Sequence, residues 1–283
     1  MHKNKLSGAI KSMRAYVAVF FMFLTFFPSS SLADVVESLP VLKKAIADIR
    51  FLYRGKELSF LAEKEYQVKK YYYEIQSKTQ KLEILKEVKE HFEKAVAKSE
   101  EKFDAGEEDV SQSNITKLKL GLAGSLNDII ELDSDIKVAQ LLLVGMLKGN
   151  YSADADMLDS EIEPVEFKFN DYKIWFKETG LAKDNASKEL DFPGFELGLK
   201  TGYLKAIENR KKLNLAQNNR KITRALLVSE AANYDFGIGD PGDLFEALII
   251  YTRVLSGYYD SVYNFNLAVA ELNRVKALWV AKP

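Results

Sequence analysis

Residues 233–244 read NYDFGIGDPGDL, and the fold turns on this stretch. Gly237, Gly239 and Gly242 permit positive φ, and Pro241 presets φ at about −65° for the first position of a helix. Asp240 stands where a helix cap belongs. Asp243 falls in the first turn beyond it, where the helix dipole favours negative charge. The stretch predicts a sharp turn between two long helices. It has a counterpart 131 residues earlier, at 102–110, which reads KFDAGEEDV. At that offset Phe103 matches Tyr234, Asp104 matches Asp235, Gly106 matches Gly237 and Asp109 matches Asp240. The same offset carries 135–141 (DIKVAQL) onto 266–272 (NLAVAEL). Two helical hairpins, each folded about one of these tips, are the expected organisation.

Apolar residues recur every seventh position along the arms, as in coiled-coil seams. The first arm, 61–103, carries Leu61, Val68, Ile75, Leu82, Val96 and Phe103, with a break at Lys89 and a companion stripe of Tyr71, Leu85 and Phe92. In the second, Ile115, Leu122, Ile129, Ile136 and Leu143 repeat without a break, beside Leu118, Leu132, Ala139 and Met146. Lys148-Gly149-Asn150 reads as a glycine C-cap. The third arm has a weaker stripe: Leu204, Ile207, Leu215, Ile222 and Leu226. The fourth is the clearest, with Leu244, Tyr251, Tyr258, Phe265, Leu272 and Trp279, and a second row of Leu248, Leu255, Val262 and Val269. A face that broad predicts packing on more than one neighbour. Shifted back by 131, the fourth-arm stripe falls on Ser113, Leu120, Asn127, Ser134 and Leu141, so the repeat rests on the tips and the helix ends rather than on a shared core phase.

Two segments lie outside the arms. Residues 38–60 read as helix with a hinge at Gly55. The connector, 149–195, contains Pro164, Pro193 and many acidic residues. Its 165–169 (VEFKF) alternates over five residues, either as a segment crossing back over the bundle or as a short strand.

Composition removes several function classes. The chain has 283 residues, with 40 Lys and Arg against 41 Asp and Glu. No segment is basic and aromatic in the way a nucleic-acid groove would need, so nucleic-acid binding is not expected. There is no cysteine, which excludes disulfides, thiol catalysis and cysteine metal sites. The two histidines, His2 and His91, cannot form a metal cluster or a triad together, and His91 beside Phe92 reads as a packed helix residue. The GIGDPG spacing follows a helix instead of a strand, which is the wrong setting for a dinucleotide site. Glu107-Glu108-Asp109 lacks the spacing of a calcium loop. The expectation is a protein that is not an enzyme, with no catalytic, cofactor or metal residues.

Residues 1–33 have the form of a secretory signal. Lys3, Lys5, Lys11 and Arg14 precede an apolar run at 15–27, which falls short of the ~20 residues of a spanning helix. Ser31-Leu32-Ala33 fits a cleavage site before Asp34, with an uncleaved anchor as the alternative. The expected domains are then a signal at 1–33 and one helical domain at 34–283. Within that domain the first hairpin spans about 61–148 with its tip at 103–109, and the second about 196–279 with its tip at 234–243.

The tip sequences KFDAGEEDV and NYDFGIGDPGDLFEAL, with YNFNLAVAELNRV at 263–275, resemble the TolC-like outer-membrane factor (outer membrane efflux protein) family. The resemblance covers roughly 61–150 and 196–276. It implies a protomer that gives two long antiparallel coiled-coil-like hairpins to a homotrimeric periplasmic α-barrel and four strands to an outer-membrane β-barrel; without those strands the expected fold is all-α. It further implies tips that meet a periplasmic adaptor of an inner-membrane transporter, and a place in the cell envelope, in the periplasm or on the periplasmic side of the outer membrane. On that basis Phe103, Gly106, Glu107, Asp109, Tyr234, Gly237, Gly239, Asp240 and Asp243 are the expected partner-binding residues. One departure from the family is plain. A membrane strand needs about 9–11 alternating residues, and the chain offers one short alternating patch. A short member lacking the β-barrel strands, at most peripherally associated with the outer membrane, is therefore expected. The competing reading is a periplasmic coiled-coil scaffold or adaptor that encloses no channel.

Overall fold

Four long helices in the computed structural model account for most of the chain, which is described at residues 36–107, 110–147, 151–181 and 193–280. The expected signal segment, Asp109 and the Lys148-Gly149-Asn150 cap lie outside these residues. In chain order the elements are β1 (Val36–Leu39), α1 (Leu42–Leu52), α2 (Leu58–Asp104), α3 (Gln112–Leu147), β2 (Tyr151–Met157), α4 (Tyr172–Glu178), α5 (Pro193–Asp235) and α6 (Pro241–Val280). The fold class is all-α, as expected. The two strands pair with each other in a two-stranded sheet.

The long helices stand side by side in the order α3, α2, α6, α5, each antiparallel to the next. Rising numbers on α2 meet falling numbers on α6. Arg274 reaches Glu63 at 2.9 Å, Lys81 pairs with Asp260, and the Tyr251 hydroxyl donates to Glu87 at 2.9 Å. Both hairpin tips therefore point to one end. The heptad seams explain the arrangement. Val68, Ile75, Leu85 and Phe92 of α2, Ile115, Leu118, Ile136 and Leu143 of α3, and Leu244, Tyr251, Tyr258, Phe265 and Leu272 of α6 are buried. Each such side chain contributes on the order of 1.5–3 kcal/mol relative to exposure. As the breadth of its stripe predicts, α6 packs on α5, α2 and α3.

Two expectations need correction. First, the α5 stripe is turned the wrong way: Leu204, Leu215, Ile222 and Leu226 are exposed, and only Ile207 is packed against the core. The inward face is Leu199, Tyr203, Ala206, Leu213 and Leu227. This helix carries two apolar stripes, and the seven-residue spacing alone does not say which one meets α6. Second, 38–60 is helical only from Leu42, after the end of β1; the break expected at Gly55 is present as a turn between α1 and α2, and the first arm begins at Leu58 rather than about 61. Of the two readings of 165–169 the crossing segment holds: among the described residues it is not a paired strand, and the connector's strand is β2.

What 165–169 does instead is cross the bundle as part of an extended strap. The strap is gripped in turn by one side chain from each long helix. Gln140 of α3 donates to the Ala155 carbonyl at 3.3 Å. Gln76 of α2 donates to the carbonyls of Asp159 and Glu161 at 3.0 and 2.7 Å. Asn266 of α6 accepts from the Val165 N–H and donates to the Glu163 carbonyl, both at 2.8 Å. Arg210 of α5 donates to the Phe167 carbonyl at 2.9 Å and pairs with Asn170. Gln76 and Asn266 are buried, so these bonds satisfy strap backbone that water does not reach. The alternation in VEFKF follows: Val165, Phe167 and Phe169 face the core, while Glu166 and Lys168 are exposed and paired with each other at 2.7 Å.

Candidate functional site: the paired hairpin tips

Both incoming helices end in the same backbone motif. At the first tip Glu107 N–H donates to Lys102 O and Gly106 N–H to Phe103 O, each at 3.0 Å. At the second, Ile238 N–H donates to Asn233 O at 3.0 Å and Gly237 N–H to Tyr234 O at 3.1 Å. The bonds correspond residue for residue at the sequence offset. This is the Schellman arrangement, which needs a left-handed residue after the last helical turn. Gly106 and Gly237 supply it, at φ 78° and 77°.

The outgoing sides differ. On the second hairpin Asp240 caps α6 as expected, its Oδ1 accepting from Gly242 N–H at 2.5 Å. Gly239 lies so close to the end of α5 that a Cβ there would sit 2.8 Å from Tyr234 N. On the first hairpin the helix opens two residues later than the repeat predicts, and Ser111 is the cap, accepting from Asn114 N–H at 3.2 Å.

The tips are also joined to each other. Lys98, on α2, donates from Nζ to the carbonyls of Tyr234 and Asp235, both at 2.9 Å, and lies 5.0 Å from the centre of the Tyr234 ring. A cation thus meets the carbonyl end of α5, where the helix dipole is negative. The Tyr234 hydroxyl is 2.8 Å from Ser99 Oγ and donates to the Ala95 carbonyl at 3.1 Å.

Accessibility sorts the expected residues. Tyr234 is 4% exposed and serves the join between hairpins. Phe103, its repeat partner, is exposed, as are Gly106, Gly237, Asp240 and Asp243. Glu107 is exposed and paired with Lys102 at 3.2 Å. Gly239 is half-buried. The most exposed apolar side chains of the tips are Phe236 and Ile238, at 81% and 78%, and sequence reasoning passed over both. The available signal was their position: large apolar residues beside glycines at a turn apex have nothing to pack against. Among the described residues, no group of three or more His, Cys, Asp or Glu is placed to hold a metal ion. None of the described helices is long and apolar enough to cross a membrane.

The outer flanks are the second notable surface. On α3, Leu120, Ile130, Val138 and Leu141 face away from the chain, and on α5, Leu204, Leu215, Ile222 and Val228 do the same. Ile130 and Ile222 are 70% and 69% exposed.

No family model matches the chain, and no curated protein matches it in sequence. Among solved structures it is similar to the outer-membrane channel OprN, at 10% identity and a TM-score of 0.60. The likeness covers 83% of this chain and 69% of that one. At that identity the similarity speaks for the fold alone.

Proposed function

We propose that this chain is a non-enzymatic, TolC-like conduit protomer of the cell envelope, which closes with two further copies into a helical barrel and docks a periplasmic adaptor through its tips. The observation that carries the reading is the pair of apolar flanks. They lie on the two outermost helices of an open row, so the α3 flank of one copy can cover the α5 flank of the next. A head-to-tail contact of that kind forms a ring when its rotation closes. The channel-like fold supports the same arrangement. In this reading residues 1–33 direct export and are removed before Asp34, and no strand of this chain forms a membrane barrel.

Particle mass by light scattering, with an electron-microscopy outline, tests the proposal. A hollow trimer supports it. A monomer or a solid dimer overturns it in favour of a periplasmic scaffold. Docking is tested separately by reversing Glu107 and Asp243 to Lys. Helix content and particle size should persist while co-purification of an envelope partner falls. Unchanged capture and transport would reduce the tips to simple turns.

A further inference from the structure

At the end of the bundle opposite the tips, the chain presents a basic, aromatic surface. α1 runs back along α2 and is tied to it by Arg50 and Glu65 at 2.6 Å, with its buried face formed by Ala45 and Ile49. Its last turn leaves Phe51 77% exposed and Leu52 exposed as well. The chain then turns at 53–57, and α2 opens with Leu58 and Phe60, also exposed. The Tyr53 ring meets Phe60 edge-on at 5.2 Å, which holds the two sides of the turn together. Because Arg274 is level with Glu63, the exposed Val280 at the end of α6 comes to this same end. A 47-residue α2 puts this surface about 70 Å from the tips.

The charge here is unlike that of the rest of the chain. Residues 41–60 hold five basic side chains against two acidic, whereas the whole chain has 40 against 41. Arg54 and Lys56 stand on the turn itself, exposed, and neither is in an ion pair among the described residues. Large apolar side chains at a helix end, an interfacial tyrosine and flanking cations are what a surface needs to enter the headgroup layer of an anionic bilayer. An apolar protein surface would match Phe51 and Leu52 but would leave Arg54 and Lys56 without counter-charge. The patch is also on the end of the helices, away from the flanks where a neighbouring copy would lie.

We infer that the α1–α2 turn is a monotopic membrane-contact site, in which Phe51, Leu52, Leu58 and Phe60 enter the headgroup region of an anionic phospholipid bilayer while Arg54 and Lys56 bind its phosphates. The site does not depend on ring formation, which particle shape reports independently.

The absence of cysteine makes the test clean. The full chain carrying Phe51→Cys is labelled with a polarity-sensitive fluorophore and mixed with vesicles of phosphatidylglycerol and phosphatidylethanolamine, or of phosphatidylcholine alone. The label should shift to the blue and be quenched by nitroxide lipids on the anionic vesicles, and the effect should fade at high salt. Arg54→Glu together with Lys56→Glu should weaken the binding about tenfold or more. A label at Phe236→Cys, equally exposed at the opposite end, should stay in water. Any pull from residues 1–33 acts on both labelled proteins alike, so the comparison isolates the patch. A label at 51 that remains in water with anionic vesicles overturns the inference. So does one that shifts without lipid as protein concentration rises, because a second copy would then be the occupant.

Discussion

Lys98 and Tyr234 lie on different hairpins, 136 residues apart, and the lysine Nζ donates to the tyrosine carbonyl at 2.9 Å. A second bond to the Asp235 carbonyl and the ring beneath the ammonium make this one cation the junction of the two tips. Lys98→Met keeps the stem and removes the donors. It should lower stability by about 1–2 kcal/mol in chemical denaturation and speed amide exchange at 233–238. Unchanged exchange there would mean that apolar packing and the Tyr234 hydroxyl bonds hold the tips together without the lysine.

The strap can be released at its most buried grip. Asn266→Leu leaves the Val165 N–H and the Glu163 carbonyl without partners, which should cost about 2–4 kcal/mol. Asn266→Asp retains the acceptor but sets an oxygen against the Glu163 carbonyl, so it should not rescue. Proteolysis within 158–170 should rise in both variants while the hairpins stay helical. Circular dichroism with limited digestion reads both.

Flank substitutions should separate assembly from folding. Ile130→Asp and Ile222→Asp place charge where the side chain is about 70% exposed, so each protomer should keep its stability within about 0.5 kcal/mol. Light scattering should show that either one abolishes the ring. If both variants still form the wild-type particle, the flanks are not the interface.

Alkaline pH should loosen the seams. Burial pushes the hydroxyls of Tyr72, Tyr73 and Tyr263 up to about 12, and burial with the Glu87 carboxylate does the same for Tyr251. The unfolded chain ionises near 10, so it loses these protons before the folded one does. Their contribution is intact below pH 10 and is lost as pH rises from about 10 through 12. Thermal midpoints across that range should fall, and Tyr251→Phe should fall less steeply than wild type.

How far the sequence led can be judged from particular residues. Gly106 and Gly237 were legible because a left-handed turn leaves few alternatives to glycine, and their φ angles agree to one degree. The α6 stripe was legible because α6 is interior and buried on several sides. On α5 the same spacing misled: a flank helix carries an inward and an outward stripe, and periodicity does not distinguish them. That the connector crosses back over the bundle was legible; the side chains that grip it were not, because those contacts are non-local. Gln76 and Asn266, lone amides within apolar seams, were the available sign that backbone passes over them. At the tips, attention went to charge and to the aromatic repeat, and the apex residues Phe236 and Ile238 were overlooked.

The last helix in the sequence is not last in space. α6 stands between α2 and α5, and it supplies Asn266 to the strap. A chain emerging from its amino end can pair α2 with α3, yet α5 has only the strap and α4 to rest on until the forty residues of α6 follow. Completion is therefore a late, long-range step, and loop-closure entropy makes such steps slow. Until α6 arrives, the aromatic seam of α2 and the inner face of α5 stay open to a chaperone or to a protease. A truncation before Asn266 should yield degradation, and no shortened but stable protomer should accumulate.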